Sequence, residues 1–224
     1  MLGAGAVLLA ARRSGLRVIN LVCSLGRPPD HQRRRQEVEC AARLSGIQLE
    51  VLQPPLGLSR GDDLEAAEEL LCQTLRQLID EYRPALIIGP HERDAHHAHE
   101  LVGRVTRRSI EDSGHKGPWW AWGLWADLLQ PTLYFSYSDD LMSDALRCLQ
   151  CYAGENARND YIRLAQARGT VQSVIGSERI FGFGAGRASE LPYATLFTEE
   201  IFNGGWRLGV KRVVDATSQH SWID

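Results

Sequence analysis

The stretch that decides the fold is Ala85-Leu-Ile-Ile-Gly-Pro-His-Glu-Arg-Asp-Ala-His-His-Ala-His99, in which a short apolar run is followed directly by a polar, histidine-rich segment. Residues 85–88 are apolar and partly β-branched, and Gly89-Pro90 ends the run. This pattern predicts a buried strand of a parallel sheet. Ligands of such sheets bind beyond the carboxyl ends of the strands, so the polar segment lies where an α/β enzyme keeps its chemistry.

Outward from this segment, helices and strands alternate along the first half of the chain. We predict helices at 2–14, 33–44, 64–82 and 99–110, and strands at 17–23, 48–52 and 85–88. Alternating elements with short connections indicate βαβ units. We therefore predict an α/β fold with a Rossmann-like, doubly wound parallel sheet in a three-layer α/β/α arrangement.

The second half of the chain has a less regular pattern. Residues 119–137 are aromatic and partly alternating, which predicts one or two strands with a break at Pro131, and 139–168 is predicted to be helical. The tail from Gly169 is rich in glycine, and we predict mostly loops there. We expect a single domain, 1–224, with a βαβ core at 1–112 and with the aromatic strands, helix and tail at 113–224.

The first predicted element is a helix, at 2–14, and no strand precedes it. In a doubly wound sheet the first strand is central. Without it, the neighbouring strands would leave backbone groups unpaired, at a cost of about 1–3 kcal/mol for each buried group. We therefore expect a further apolar strand before Met1, and a sheet that lacks its first strand in this chain.

Composition and charge exclude several classes of protein. The 224 residues are 44% apolar and carry a formal net charge of −3, which suits one globular core and offers no electrostatic basis for binding nucleic acid. The apolar runs are too short for a membrane span, and the N-terminus lacks the pattern of a signal peptide. We expect a cytoplasmic protein and leave homo-oligomerisation open.

Five cysteines, an odd number, are scattered along the chain and do not form the framework of a secreted disulfide protein. Cys148-Leu-Gln-Cys151 is a single C-x-x-C pair on a predicted helix. Packing explains it better than a metal or redox site does.

Four of the seven histidines lie in the segment after the predicted strand. His96 and His99 are three residues apart at the start of a helix, so both imidazoles should share one helix face. Imidazole suits zinc, but a catalytic zinc keeps three protein ligands and an open water position, so this segment alone is an incomplete site. The alternative is a polar helix start that Asp94 caps. The clustering at a strand end favours a functional site.

Four tryptophans, at 119, 120, 122 and 125, follow the loop after this helix. They could form a wall on which a sugar stacks. A buried aromatic strand or a subunit interface is an equally good interpretation.

A family resemblance rests on the order of these elements and on local patterns within them. The patterns are Arg34-x-x-Glu37 in a helix that ends at Leu44-Ser-Gly46, then Pro90-His91-x-x-Asp94-x-His96-x-x-His99, and, more weakly, Tyr193-Ala-Thr-Leu-Phe197. Together they resemble the PIG-L (LmbE-like) zinc-dependent de-N-acetylases. In that family a first strand ends in His-Pro-Asp-Asp-Glu, directly before a small-residue helix like the one at 2–14.

The resemblance implies a zinc-dependent hydrolase that removes an acetyl group from an N-acetylated amino sugar or its conjugate. It makes His99 a zinc ligand, and it makes His96 the group that stabilises the tetrahedral intermediate or protonates the leaving amine. The two other ligands and the general base would belong to the motif that this chain does not contain. The zinc site is therefore expected to be incomplete here.

One departure from the family pattern concerns the carboxylate that supports the active-site histidine. The family usually has His-Pro-Asp-His where this chain has His-His-Ala-His, so Ala98 takes the place of the carboxylate. A carboxylate partner raises imidazole basicity, and Asp94 or Glu92 could replace it. We therefore take His96 and Asp94 as the catalytic candidates.

Two further residues are candidates for binding substrate. Arg34 matches a basic residue that contacts substrate in some family members. His91 opens the histidine cluster and is the second candidate.

Two other functions stay open on the sequence. A degenerate family member could bind a sugar or a partner without turnover, which the absent motif and Ala98 favour. Gly3-x-Gly5 before a helix is a partial dinucleotide-binding pattern, but its third position is Leu8 and no strand precedes it.

Overall fold

The chain folds into two sheets flanked by helices, and the computed structural model describes residues 2–59 and 61–217. The helices are α1 (Gly5–Arg13), α2 (His31–Ser45), α3 (Leu64–Tyr82), α4 (His97–Ser113), α5 (Asp139–Gln150), α6 (Ala153–Arg158) and α7 (Tyr161–Phe181). The strands are β1 (Ile19–Val22), β2 (Gln48–Val51), β3 (Ile87–Pro90), β4 (Trp119–Trp122), β5 (Leu133–Tyr137), β6 (Tyr193–Phe202), β7 (Trp206–Leu208) and β8 (Arg212–Asp215). Within the described ranges, no helix combines the length and apolarity that crossing a membrane requires.

Parallel pairing dominates the part of the chain where the sequence predicted it. β1 and β2 form a two-stranded parallel sheet, and β3 pairs in parallel with β4. The larger sheet has the order β3-β4-β6-β5-β8, with β7 paired to β6. β6 runs antiparallel to both β4 and β5, whereas β5 and β8 are parallel. The predicted α/β fold is confirmed, with one long antiparallel strand inserted into the larger sheet.

The described strands form two separate sheets. Among the described residues, β1 pairs with β2 alone and β3 pairs with β4 alone.

Helices cover both faces of the larger sheet, which confirms the predicted layered arrangement. Because successive strand residues point to opposite faces, neighbouring tryptophans of β4 enter different cores. Trp120 packs with Phe135 and Phe197 against α1 and α5. Trp119 packs with Ile79 of α3 and Ile110 of α4 on the opposite face.

The α3–α4 pair connects the two sheets on one face. Leu101 and Val105 of α4 pack with Leu71 of α3 and with Leu21 of β1. The same helix buries Ile110 beside Trp119 of the larger sheet. The first residues of α4 are therefore held between the two sheets.

The second half of the chain departs from the sequence prediction in two places. The helix predicted at 139–168 is three helices, because the chain turns after α5 and again before Asp160, whose side chain caps α7 by accepting from the backbone of Arg163. The tail predicted as loops contains the end of α7 and three strands. Gly169 misled the prediction, since it lies inside α7, where a β-carbon would approach the Tyr137 hydroxyl to 2.8 Å.

Candidate active site

The candidate site begins where β3 ends, in the loop of residues 91–96 that leads into α4. Ala95 has a positive φ of 54°, which a non-glycine residue rarely adopts, and its N–H donates to Glu100 Oε1 at 3.1 Å. On α4, Gly103 faces this loop, and a β-carbon there would lie 2.7 Å from the backbone nitrogen of Glu92. The loop is therefore pressed against the first turns of α4.

Asp94 is the buried centre of the site, with no exposed surface. Its Oδ1 accepts hydrogen bonds from the backbone N–H groups of Leu124 (2.5 Å), Trp125 (2.9 Å) and Ala126 (3.2 Å). Its Oδ2 lies 2.7 Å from Nδ1 of His99. Burial acts to raise the pKa of Asp94, but these hydrogen bonds outweigh it and hold the pKa below the usual value. Asp94 is thus an ionised carboxylate that joins α4 to the loop after β4.

His99 lies on the first turn of α4 and is oriented by Asp94. Because Nδ1 is engaged by the carboxylate, Nε2 is the ring nitrogen left for another ligand. Histidines that bind metals usually have their other ring nitrogen held in this way. About a quarter of the His99 side chain, 26%, is exposed. The geometry suits a single metal ligand.

His96 precedes α4 and lies against the other histidines. Its ring centroid is 4.5 Å from that of His99 and 5.0 Å from that of His97. Its Nδ1 is buried and has no hydrogen-bond partner among the described residues. Burial and the neighbouring imidazoles lower the pKa of His96, so the ring is neutral at pH 7. The neighbouring His97 has a different partner, since its Nε2 lies 2.6 Å from the carbonyl oxygen of Leu58.

Two of the four clustered tryptophans reach the site, and two do not. Trp119 and Trp120 are fully buried in the cores on either face of the sheet. The ring centroid of Trp122 lies 5.1 Å from that of His99, edge to face, and Trp125 stacks near His96 at 6.3 Å. The interpretation as a buried aromatic strand describes Trp119 and Trp120, whereas sugar stacking on Trp122 or Trp125 stays a prediction.

The two predicted substrate-binding residues, Arg34 and His91, have different surroundings. Arg34 forms an ion pair with Glu155 of α6, which places it in the contact between α2 and α6. His91 donates its backbone N–H to the carbonyl of Trp122 at 2.7 Å. Burial lowers the pKa of the His91 ring. Their roles in binding substrate stay predictions.

Sequence reasoning missed the part of the site that comes from residues 124–126. These residues contribute backbone N–H groups, which leave no mark in the side-chain pattern. The tryptophan cluster was the one available signal, and it did not distinguish Trp125 from its neighbours.

The donor set falls short of a complete zinc site. Among residues 2–59 and 61–217, no group of three or more His, Cys, Asp or Glu side chains is arranged to hold a metal ion. A catalytic zinc takes three protein ligands. His99 fits one of them, and the described residues do not assemble the rest.

With this geometry in place, the family follows from comparison with known proteins. Residues 1–110 match the family model described as PIG-L, GlcNAc-PI de-N-acetylase. The matched segment includes Asp94, His96 and His99. Over this segment the resemblance to the PIG-L family that the sequence predicted is confirmed. No curated protein sequence matches the chain significantly.

Solved structures with the same fold cover almost the whole chain. The zinc-inhibited form of teicoplanin deacetylase Orf2 is 13% identical, with a TM-score of 0.66 over 93% of this chain and 94% of that chain. N,N'-diacetylchitobiose deacetylase from Pyrococcus horikoshii is 15% identical, with a TM-score of 0.62 over 88% of this chain and 78% of that chain. GalB, the 4-carboxy-2-hydroxymuconate hydratase from Pseudomonas putida KT2440, is 15% identical, with a TM-score of 0.61 over 88% of this chain and 90% of that chain. At these identities the likeness shows the fold alone.

Proposed function

We propose that the protein is an N-deacetylase that hydrolyses the acetamide of an N-acetylated amino sugar or its conjugate, at the site formed by Asp94, His96 and His99. The observation that carries the proposal is the hydrogen bond from His99 to the buried Asp94, beside the unpartnered ring nitrogen of His96. The match of residues 1–110 to the PIG-L family model supports the same chemistry. We include metal dependence in the proposal.

Each residue of the site has a proposed role in amide hydrolysis. Asp94 orients His99 and stays ionised. His99 would be one ligand of a zinc ion, which when bound supplies an activated water and polarises the acetyl carbonyl. His96, neutral at pH 7, can stabilise the developing oxyanion as a hydrogen-bond donor, or exchange a proton with the amine that leaves.

A second candidate function is binding of an acetylated sugar without turnover. It is favoured by the donor set, because the described residues offer fewer than three grouped ligands. The dinucleotide-binding alternative gains no comparable support. Gly3 lies against the ring of Trp122, where a β-carbon would approach a ring carbon to 2.6 Å, so packing accounts for a small residue there.

Metal content measured together with kinetics tests the proposal. The substrates would be N-acetylglucosamine and N,N'-diacetylchitobiose, with acetate release as the readout. We expect His99→Ala to lose most activity and most of any zinc that the wild-type protein binds, since His99 is the described side chain whose geometry fits a metal ligand. His96→Ala should keep the zinc and lower kcat by about two to four orders of magnitude.

His115→Ala is the matched control, because His115 follows the opposite end of α4, about 25 Å from its first residue. It should retain both zinc and activity. Equal zinc loss in the His96 and His99 variants would make His96 a ligand as well. Sugar binding without acetate release by the wild-type protein would favour the non-catalytic alternative, and full activity in both variants would overturn the placement of the site.

A further inference from the structure

Trp125 stands out among the large apolar side chains because it is exposed beside the candidate catalytic residues. Its exposed fraction is 46%, although it lies next to the fully buried Asp94. The ring stacks near His96, with the centroids 6.3 Å apart and an interplanar angle of 24°. A ligand that covers this exposed apolar surface gains binding free energy of about 25 cal/mol for each Å² removed from water.

A second aromatic residue fixes the position of Trp125. Tyr161, the first residue of α7, contacts the Trp125 ring edge to face at a centroid distance of 6.5 Å. Its hydroxyl accepts a hydrogen bond from Arg158 at 3.0 Å. Tyr161 is itself buried. We call Trp125, with His96 and Tyr161 beside it, the aromatic platform.

The platform is tied to the catalytic residues through the backbone. The N–H of Trp125 donates to Asp94 Oδ1, and the other oxygen of that carboxylate holds His99. Arg168 of α7 donates to the carbonyl of Gly123 at 3.0 Å and holds the start of the same loop. The backbone of Trp125 is therefore anchored to a buried carboxylate.

We propose that Trp125 is a substrate-binding and specificity residue, on which the apolar face of a pyranose ring stacks while the acetamide of that sugar or its neighbour lies at His96 and His99. The inference rests on the proposed function and extends it to the ligand. A flat, rigid and apolar ring complements the C–H face of a sugar and loses little conformational entropy on binding. A ligand in that position covers the exposed part of the indole.

The experiment compares Trp125→Ala and Trp125→Phe with the wild-type protein. In these variants the backbone N–H that bonds to Asp94 is kept, so the catalytic geometry is preserved. We expect Trp125→Ala to raise KM for N,N'-diacetylchitobiose about tenfold or more with kcat changed less than about threefold. Trp125→Phe should restore most of the lost affinity, because a phenyl ring still offers a face to the sugar.

Tryptophan fluorescence provides a readout that does not depend on turnover. Titration with N-acetylglucosamine and N,N'-diacetylchitobiose should give a saturable change in the wild-type protein and in the control Trp206→Phe. In Trp125→Ala the change should be lost or should need at least about tenfold more sugar. Trp206 is a suitable control because it packs against Trp119 and Phe202, away from the histidines.

The outcomes separate the platform from the hydrolase. A sugar signal that depends on Trp125, in a protein that releases no acetate, supports the platform and overturns the proposed hydrolysis. Acetate release with an unchanged KM in Trp125→Ala supports the hydrolysis and overturns the platform. A fluorescence titration whose midpoint is unchanged in Trp125→Ala, or no sugar signal at all, also overturns the platform.

Discussion

The two sheets of the molecule differ in how deeply their strands are buried. Every residue of β1 and β2 keeps part of its surface exposed, whereas all five residues of β5 are buried. The smaller sheet has a single pair of strands, and the larger one has helices on both faces. A two-stranded pair is marginally stable without packing against other elements. The smaller sheet therefore depends on α3 and α4 for its position.

This difference explains where the candidate site is anchored. Asp94 receives its backbone hydrogen bonds from the loop after β4, which belongs to the larger sheet. From the side of the smaller sheet, His97 contacts the carbonyl of Leu58, in the loop after β2. The residues proposed for catalysis are thus held by the larger, better-packed sheet. The side of the smaller sheet contributes the contact between Leu58 and His97.

A matched pair of leucine substitutions tests whether the two sheets differ in stability. Leu133 of β5 is fully buried, and Leu49 of β2 is half-buried. We expect Leu133→Ala to lower the free energy of unfolding by about 2–5 kcal/mol, because it leaves a cavity in the core. Leu49→Ala should cost about 1 kcal/mol, since less apolar surface is lost. Urea denaturation followed by circular dichroism measures both, and equal losses would contradict the comparison.

The sequence predicted the regular, locally encoded elements well. α3 was predicted with the bounds that the structure has, because Asp63 caps its first turn by accepting from Ala66 N at 3.0 Å and the apolar residues follow a helical period. The strands of the tail were not predicted. Their pairing partners lie far away in the chain, and glycines that serve close packing in α7 look like loop signals.

The site was predictable only where it is local in sequence. Asp94, His96 and His99 were identified together because they lie within six residues of one another at a strand end. Asp94 was predicted as a replacement for the carboxylate that supports His96, but its hydrogen bond is to His99, and Nδ1 of His96 has no partner among the described residues. Trp125 was not singled out, since its position depends on a hydrogen bond to a carboxylate 31 residues earlier.

A substitution at Asp94 tests whether the contact between α4 and the larger sheet positions the candidate site. Asp94→Asn keeps the size of the side chain but removes the charge that orients His99. Loss of such an orienting partner costs about 10–100-fold in activity or metal affinity. We expect this loss in acetate release or zinc affinity, measured by kinetics and zinc titration. Asp127→Asn, on an exposed side chain of the same loop, is the control and should leave both unchanged.

An Asp94→Asn variant with normal zinc affinity and activity would show that the loop after β4 does not position the site. Loss of activity in Asp127→Asn as well would assign the effect to the loop in general and not to the carboxylate that holds His99.

The smallest expected effect concerns pH, at the end of α4 opposite the site. Burial lowers the pKa of His115 from its ordinary value of 6.5, and its Nε2 is buried without a hydrogen-bond partner among the described residues. The folded state therefore takes up this proton at lower pH than the unfolded state. As pH falls below 6.5, the unfolded state binds more protons, so the free energy of unfolding decreases; above 6.5, His115 adds no pH dependence.

His115→Gln should flatten this acid-side decrease in the free energy of unfolding between about pH 6.5 and 5, because the contributions of the other histidines are the same in both proteins and cancel. Urea denaturation at several pH values measures the difference. Parallel curves for the two proteins would show that His115 is as easily protonated in the folded chain as in water.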